Sequence, residues 1–294
     1  MKQSVLILGA TGMLGHTLLE QLAARKDLEV TATVRCQGSV EGITTKLLEK
    51  IVGNLDADNP DSVLKTLAQV KPDVVINCIG IIKQLPSAKD PITAITINSL
   101  FPHRLAQACK AAGSRLIHIS TDCVFSGSKG NYTESDVADA TDLYGRTKFL
   151  GEVDYPHCVT LRTSIIGHEL KGCYSLIDWF LAQEGEVNGY TEAIYTGFPT
   201  VEMARIIADY VIPNPQLNGL YQVSSEPISK YELLQLVAKQ YNKDIQIRPF
   251  HDFHCDRSLD SSRFRNITGY TPPSWSEMVA AMWMDWARHA GIGG

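Results

Sequence analysis

Tyr144 and Lys148 stand four residues apart in LYGRTKFLGE, a stretch expected to be helical. Side chains at that spacing project from one helix face, so a phenol and an ammonium become neighbours. A free tyrosine has a pKa of about 10, and a nearby positive charge stabilises its phenolate and lowers that value toward the working pH. Such a phenol can act as general acid, giving a proton to a carbonyl oxygen whose carbon receives a hydride. A hydroxyl to hold that carbonyl is offered by HISTDCVFSG, where Ser120, Thr121 and Asp122 fall just past an apolar run at 115–119. Each feature alone has a plainer reading: helices carry Tyr and Lys by chance, and Ser, Thr and Asp commonly satisfy turns after strands.

The hydride would come from a nicotinamide dinucleotide, and GATGMLG at 9–15 has the residues to cradle one. Gly9 permits a tight turn, Gly12 lets backbone approach a pyrophosphate, and Gly15 allows helix to pack closely on strand. Thr11, Met13 and Leu14 complete the turn, whose amides face the anion at the helix N-terminus. The spacing is G-x-x-G-x-x-G rather than the commoner G-x-G-x-x-G, so its position between a strand and a helix carries the reading. Where an acidic residue would bind the ribose of NAD, the chain has Val34-Arg35-Cys36. Arginine suits a 2′-phosphate, so NADP(H) is favoured, with NAD(H) as the alternative.

These residues need a scaffold, and the first half supplies one. Residues 4–8 form an apolar run, and 13–24 place Leu14, Leu18, Leu19 and Leu22 at helical spacing. A β-branched strand at 29–34, a helix at 62–69, the strand DVVINCIG and a long helix from Pro91 to Gly113, interrupted or restarted near Pro102, follow in turn. Strands alternating with helices predict an α/β fold with a Rossmann-type, doubly wound parallel sheet, its apolar strands buried on both faces. Past about Gly167 the pattern turns irregular, with two clear helices near 201–210 and 229–241. The expected division is a dinucleotide-binding part at 1–167, to which about 200–224 returns, and a smaller substrate-binding lid at 168–294.

Composition narrows the partners. The chain has 294 residues, 44% of them hydrophobic, and a formal charge of -5. That balance argues against a nucleic-acid or anionic-membrane surface and favours small-molecule chemistry. No apolar run reaches the roughly 20 residues that span a bilayer, and no leader pattern precedes the first strand, so a cytoplasmic location is expected. Seven scattered cysteines without a C-x-x-C pair read as reduced thiols. The types in HDFHCD (His251, His254, Cys255, Asp256) suit a metal, but no second half with zinc-site spacing accompanies them, so this reads as a polar loop and no metal is assigned.

Together GATGMLG, HISTDCVFSG, LYGRTKFLGE, GFPT and LDSSRF resemble the extended short-chain dehydrogenase/reductase family, in particular its dTDP-4-dehydrorhamnose reductase branch, along nearly the whole chain. The resemblance implies that Tyr144 donates the proton, Lys148 lowers its pKa and holds the nicotinamide ribose, and Thr121 binds the reacting carbonyl. It also implies that Cys78, Ile79 and Gly80 line the cofactor, that Asn98 has a structural task near the site, and that a nucleotide-sugar is reduced at a 4-keto group, with a homodimer within the family's range. Lys83, Asp122, Thr200 and Arg257 are the expected substrate contacts, Arg263 is a further candidate for a diphosphate, and Trp179, Phe180 and Tyr195 read as lid core. Cys123 stands where the reductases often carry tyrosine, and reads as packing. Two other readings share these residues: a nucleotide-sugar epimerase or dehydratase that recycles bound NAD, and a non-catalytic regulatory subunit that keeps the cofactor site.

Overall fold

The structure is a computed structural model that describes residues 2–36, 38, 40–84 and 86–290. Its centre is a seven-stranded, all-parallel sheet. In chain order the strands are β1 (Gln3–Leu8), β2 (Leu28–Thr33), β3 (Ile51–Val52), β4 (Val74–Asn77), β5 (Arg115–Thr121) and β6 (Cys158–Thr163). Four strands outside that sheet follow, β7 (Ile165–Ile166), β8 (Glu186–Tyr190), β9 (Ala193–Tyr195) and β10 (Phe198–Pro199), before β11 (Gly219–Gln222) returns to it. Across that sheet the order is β11-β6-β5-β4-β1-β2-β3. The order reverses between β1 and β4, the crevice where open α/β sheets bind ligands at the strands' carboxyl ends.

Burial explains why these runs are strands. Val5 through Leu8 are all fully buried, and their alternation splits them between two cores. Val5 and Ile7 pack with Leu18, Leu22, Ile207 and Val211 on one face, whereas Leu6 and Leu8 pack with Leu67, Phe101 and Leu105 on the other. Each such side chain contributes about 1.5–3 kcal/mol by leaving water.

The helices are α1 (Met13–Ala23), α2 (Pro60–Val70), α3 (Pro91–Ala94), α4 (Phe101–Ala112), α5 (Leu143–Leu150), α6 (Leu176–Leu181), α7 (Thr200–Ile206), α8 (Lys230–Gln240), α9 (Ser262–Thr268) and α10 (Trp275–His289). The interruption expected near Pro102 is a π-helical turn, Ile95–Leu100, that joins α3 to α4 and carries Asn98. Single π turns of this kind gather at functional sites because they re-aim a side chain. Asp142 caps α5 by accepting from the Gly145 amide at 3.0 Å, which fixes where the Tyr144 helix starts.

The part of the chain after Gly167 holds more regular structure than its irregular pattern led us to expect. Besides the two expected helices, α7, which packs along α1, and α8, it contains α6, α9 and the fifteen-residue α10, which begins with a Ser274–Glu277 capping box. The remaining strands are β12 (Ile228–Ser229), β13 (Gln246–Phe250) and β14 (Cys255–Asp256). They form a three-stranded sheet in the order β12-β9-β14 and a β13-β8 pair, beside the β10-β7 pair. The HDFHCD loop is therefore strand at its end: Cys255 and Asp256 pair with Ala193 and Ile194.

After β14 the chain docks on the segment that follows β5. The Asp256 amide donates to the Gly127 carbonyl and the Tyr132 amide to the Ser258 carbonyl, each at 2.8 Å. Phe125 and Tyr132 stack beneath them with centroids 4.0 Å apart. These bonds carry Arg257 to the edge of the site. Among the described residues no helix is long and apolar enough to cross a membrane.

Candidate active site

Three glycines make the turn after β1, and each is there for a different reason. Gly9 has φ +88, a conformation that L side chains rarely adopt. A Cβ on Gly15 would lie 2.0 Å from the Gly9 carbonyl oxygen, so α1 can seat on the turn only with glycine there. Gly12 is different: its nearest neighbour would be the same oxygen at 3.5 Å, an ordinary contact. Nothing within the chain demands glycine at 12, as expected if its bare face is reserved for a close-lying ligand. Thr11 is exposed beside it, Met13 is half-buried, and Leu14 turns into the core.

The other segments expected to line a cofactor surround this turn. The position of a Gly9 side chain would be 3.2 Å from Ile79 and 3.5 Å from the Cys78 backbone. A Cβ on Gly80 would lie 3.5 Å from Asn98 Oδ1 and 3.9 Å from Lys148 Nζ, so the β4 loop runs between the glycine turn and the Tyr144 helix. Asn98 fastens that loop with two bonds: its Oδ1 accepts from the Ile81 amide at 2.9 Å, and its Nδ2 donates to the Ile81 carbonyl at 3.1 Å. Arg35 extends from the end of β2, 76% exposed, with Nη2 3.4 Å from Asp56. A loose, exposed pair of this kind contributes little to stability, which leaves the guanidinium available to a phosphate.

Thr121, at the end of β5, accepts from the Cys123 amide and donates to Asp122 Oδ1, both at 3.1 Å. Its hydroxyl lies beside the Tyr144 phenol and partly offsets the effect of burial, which raises that phenol above its ordinary pKa. Lys148 is buried and donates from Nζ to the Ile119 carbonyl at 2.8 Å; burial pulls its ammonium down to about 8, against the opposing charge of Glu152. The sequence expectation that Lys148 would depress the Tyr144 pKa thus differs from what the structure shows. Burial acts first on the phenol, with the neighbouring Cys123 and Asp122 pushing the same way, so it stays protonated at neutral pH, the form a proton donor needs.

The expected substrate contacts divide. Asp122 is buried, which raises its carboxyl pKa, while the Arg257 charge pulls the other way. Arg257 itself donates from Nε to the Phe125 carbonyl at 2.8 Å and from Nη1 toward Cys123 Sγ at 3.7 Å. Lys83 pairs with Asp142 at 3.1 Å, linking the β4 loop to the cap of α5. Thr200 does not join this cluster: its hydroxyl accepts from Thr17 of α1 at 3.1 Å, because α7 packs along α1. Arg263 also lies elsewhere, stacked 4.6 Å over Tyr221 of β11 and donating to the Leu220 carbonyl. Phe180 and Tyr195 are buried, in the same core as Ile7 and Val159 of the central sheet, but Trp179 is 40% exposed. Burial pushes the Cys123 thiol up to about 12, so it is no nucleophile. Two charges were missed: Glu152, which acts on Lys148, and Lys230, which helps to lower the Asp122 carboxyl. Glu152 was legible, since LYGRTKFLGE repeats the four-residue step from Lys148 to Glu152.

A glycine turn at the strand-order reversal, with a threonine and a Tyr-Lys pair at the same carboxyl edge, defines a dinucleotide-binding α/β protein of the extended short-chain dehydrogenase/reductase class. The chain belongs to the family described as the RmlD substrate binding domain, whose model matches residues 1–287. It is similar to a dTDP-4-dehydrorhamnose reductase of Streptomyces griseus, with 35% identity over 148 residues, 50% of this chain and 43% of that protein, so the match spans less than half of that relative. It is also similar to methionine adenosyltransferase 2 subunit beta of Danio rerio, with 27% identity over 81% of this chain and 74% of that one. A solved dTDP-4-dehydrorhamnose reductase from Bacillus anthracis in complex with NADP shares the fold. Its TM-score is 0.79 at 22% identity, covering 97% of this chain and 100% of that one.

Proposed function

We propose that the protein reduces the 4-keto group of a nucleotide-activated 6-deoxyhexose with NADPH. The observation that carries this reading is the convergence of Thr121, Tyr144 and Lys148 at the carboxyl edge of β4 and β5, beside a turn whose Gly12 is bare without internal need. The residues present fit the cofactor: Gly12 and the start of α1 suit the pyrophosphate, Lys148 a ribose hydroxyl, and Arg35 a 2′-phosphate. Bound NADPH would supply the hydride. Thr121 then holds the carbonyl oxygen by its hydroxyl, and Tyr144, kept protonated by burial, gives its proton to that oxygen. The Lys148 ammonium stabilises the phenolate left behind, and Arg257 takes the substrate's diphosphate by donating more than one N–H. The similarity to named reductases favours dTDP as the nucleotide, and the reduced thiols suit action in the cytoplasm.

Deuteride placed at the transferable position of NADPH should appear at C4 of the sugar. Label-free product formed without net cofactor oxidation would instead identify an enzyme that recycles its cofactor. A second reading, a regulatory subunit, is favoured by the similarity to methionine adenosyltransferase 2 subunit beta. It predicts NADPH binding with no label transfer to any sugar.

The Arg35 assignment has its own expected result. Arg35→Ala should weaken NADPH binding about tenfold to a hundredfold, the scale of a lost charge-assisted contact, and leave NADH binding nearly unchanged. Titration of both cofactors by fluorescence quenching checks it, and equal losses for the two would remove Arg35 from the 2′-phosphate.

A further inference from the structure

A buried polar layer lies under the catalytic helix. Ser120 of β5, Arg162 of β6 and Gln222 of β11 stand in one row across three paired strands, and His118 and Thr160 stand in a row two residues before. All five are buried. Strands buried on both faces are ordinarily apolar, and polar groups left unpaired there cost stability. Yet four of the five unpartnered buried side-chain atoms among the described residues belong to this layer: His118 Nε2, Arg162 Nη1 and both amide atoms of Gln222. A polar row inside a sheet that is otherwise apolar points to a task other than packing.

The layer converges on Glu152. Arg162 grips its carboxylate with two bonds, Nε to Oε1 at 2.8 Å and Nη2 to Oε2 at 2.7 Å, while Ser120 donates to Oε1 at 2.7 Å. The Arg162 guanidinium is itself pinned, 5.1 Å over the Phe125 ring. Glu152 sits four residues beyond Lys148, just past the end of α5, and its amide still bonds the Phe149 carbonyl at 3.1 Å. The Ile119 carbonyl that receives Lys148 Nζ immediately precedes the Ser120 that holds Glu152.

We infer that Glu152, fixed by Arg162 and Ser120, is a positioning residue that keeps the buried Lys148 in its charged form. Apart from Glu152 and the Arg162 paired with it, the titratable groups around Lys148 that we name carry no charge at neutral pH. Cys78 from the β4 loop is pushed up to about 12 by burial, His118 from β5 is held neutral by burial and by the Lys148 charge, and Tyr144 on the same helix remains a phenol. Glu152 is the carboxylate whose charge opposes the desolvation of the ammonium. Its effect on turnover rests on the reductase reading, but its effect on Lys148 does not.

The test reads Lys148 directly in the free protein. With lysine labelled by 13C at Cε, and the Lys148 signal assigned by its loss in Lys148→Arg, its titration is followed by NMR. Glu152→Gln should lower the midpoint by about one pH unit or more, since removing a nearby opposite charge destabilises the charged form. The alkaline limb of the reductase pH profile should fall by the same shift, and Glu152→Asp should recover part of it. If Glu152→Gln fails to fold because Arg162 is left bare, the double variant Glu152→Gln with Arg162→Met is compared with Arg162→Met alone, from which it differs only at Glu152. A midpoint lower in the double variant than in Arg162→Met supports the inference. An unmoved midpoint in Glu152→Gln, or equal midpoints in that pair, overturns it. Absence of reductase activity with a lowered midpoint would count against the proposed function and leave the role of Glu152 standing.

Discussion

Tyr144→Phe is expected to lower turnover by about a hundredfold to ten-thousandfold, the range for a positioned general acid, and to leave NADPH affinity and thermal stability close to those of the parent. The expectation rests on position and protonation together. Tyr144 lies on α5 one turn before Lys148, the Thr121 hydroxyl is beside it, and burial keeps its proton in place at neutral pH. Phenylalanine keeps the ring and its packing but has no proton to give. Steady-state rates with cofactor binding measured in parallel separate the two effects. Turnover within a few-fold of the parent would mean that another group protonates the oxygen.

The glycine turn yields the second large effect, as a contrast between two alanine variants. Gly15→Ala should lose the fold or most of its stability, because a Cβ 2.0 Å from the Gly9 carbonyl oxygen forces α1 off the turn and disturbs the core around Leu14 and Leu18. Overpacking of a tight core ordinarily costs about 1–3 kcal/mol, and a backbone atom that cannot rotate away places this case at or above that range. Gly12→Ala should fold with nearly unchanged Tm, since its Cβ meets only an ordinary contact at 3.5 Å, but should bind NADPH far more weakly. Melting curves with and without NADPH decide the matter. If Gly12→Ala kept the full stabilisation by cofactor, the pyrophosphate would not lie against this turn.

Much of the central sheet was legible because its signals are local. The run of Val5 to Leu8, the glycine turn and the leucine spacing of α1 each lie within about a dozen residues, and the structure places them as strand, turn and helix at nearly the expected bounds. Tyr144 and Lys148 were legible for the same reason, since one helical turn fixes their relation. The part after Gly167 was less so. Its two-residue strands β7, β10, β12 and β14 exist through pairing with distant segments, and no periodicity can develop over two residues. The α10 helix was missed although SWSE, a serine followed three residues on by glutamate, is the start signal of a capping box. Thr200 and Arg263 were expected at the substrate because their motifs resemble the family's. Where a side chain points depends on helix packing, and α7 turns Thr200 toward α1.

The ion pair of Lys83 with Asp142 shows the same limit at the site itself. Fifty-nine positions separate the two, so sequence spacing could not join them, yet their contact ties the loop after β4 to the start of α5. The exposed pair contributes little to global stability, and its consequence is local, a tether between the loop after β4 and the cap of α5.

The central claim is net reduction of a sugar carbonyl by NADPH, and the most direct test follows NADPH absorbance with dTDP-4-keto-6-deoxy-L-mannose generated in place and its UDP-linked analogues alongside. Stoichiometric oxidation of NADPH with the dTDP sugar, slower with NADH and absent in Tyr144→Phe, is the predicted result. Protein that binds NADPH yet oxidises none with any of these sugars would contradict the account.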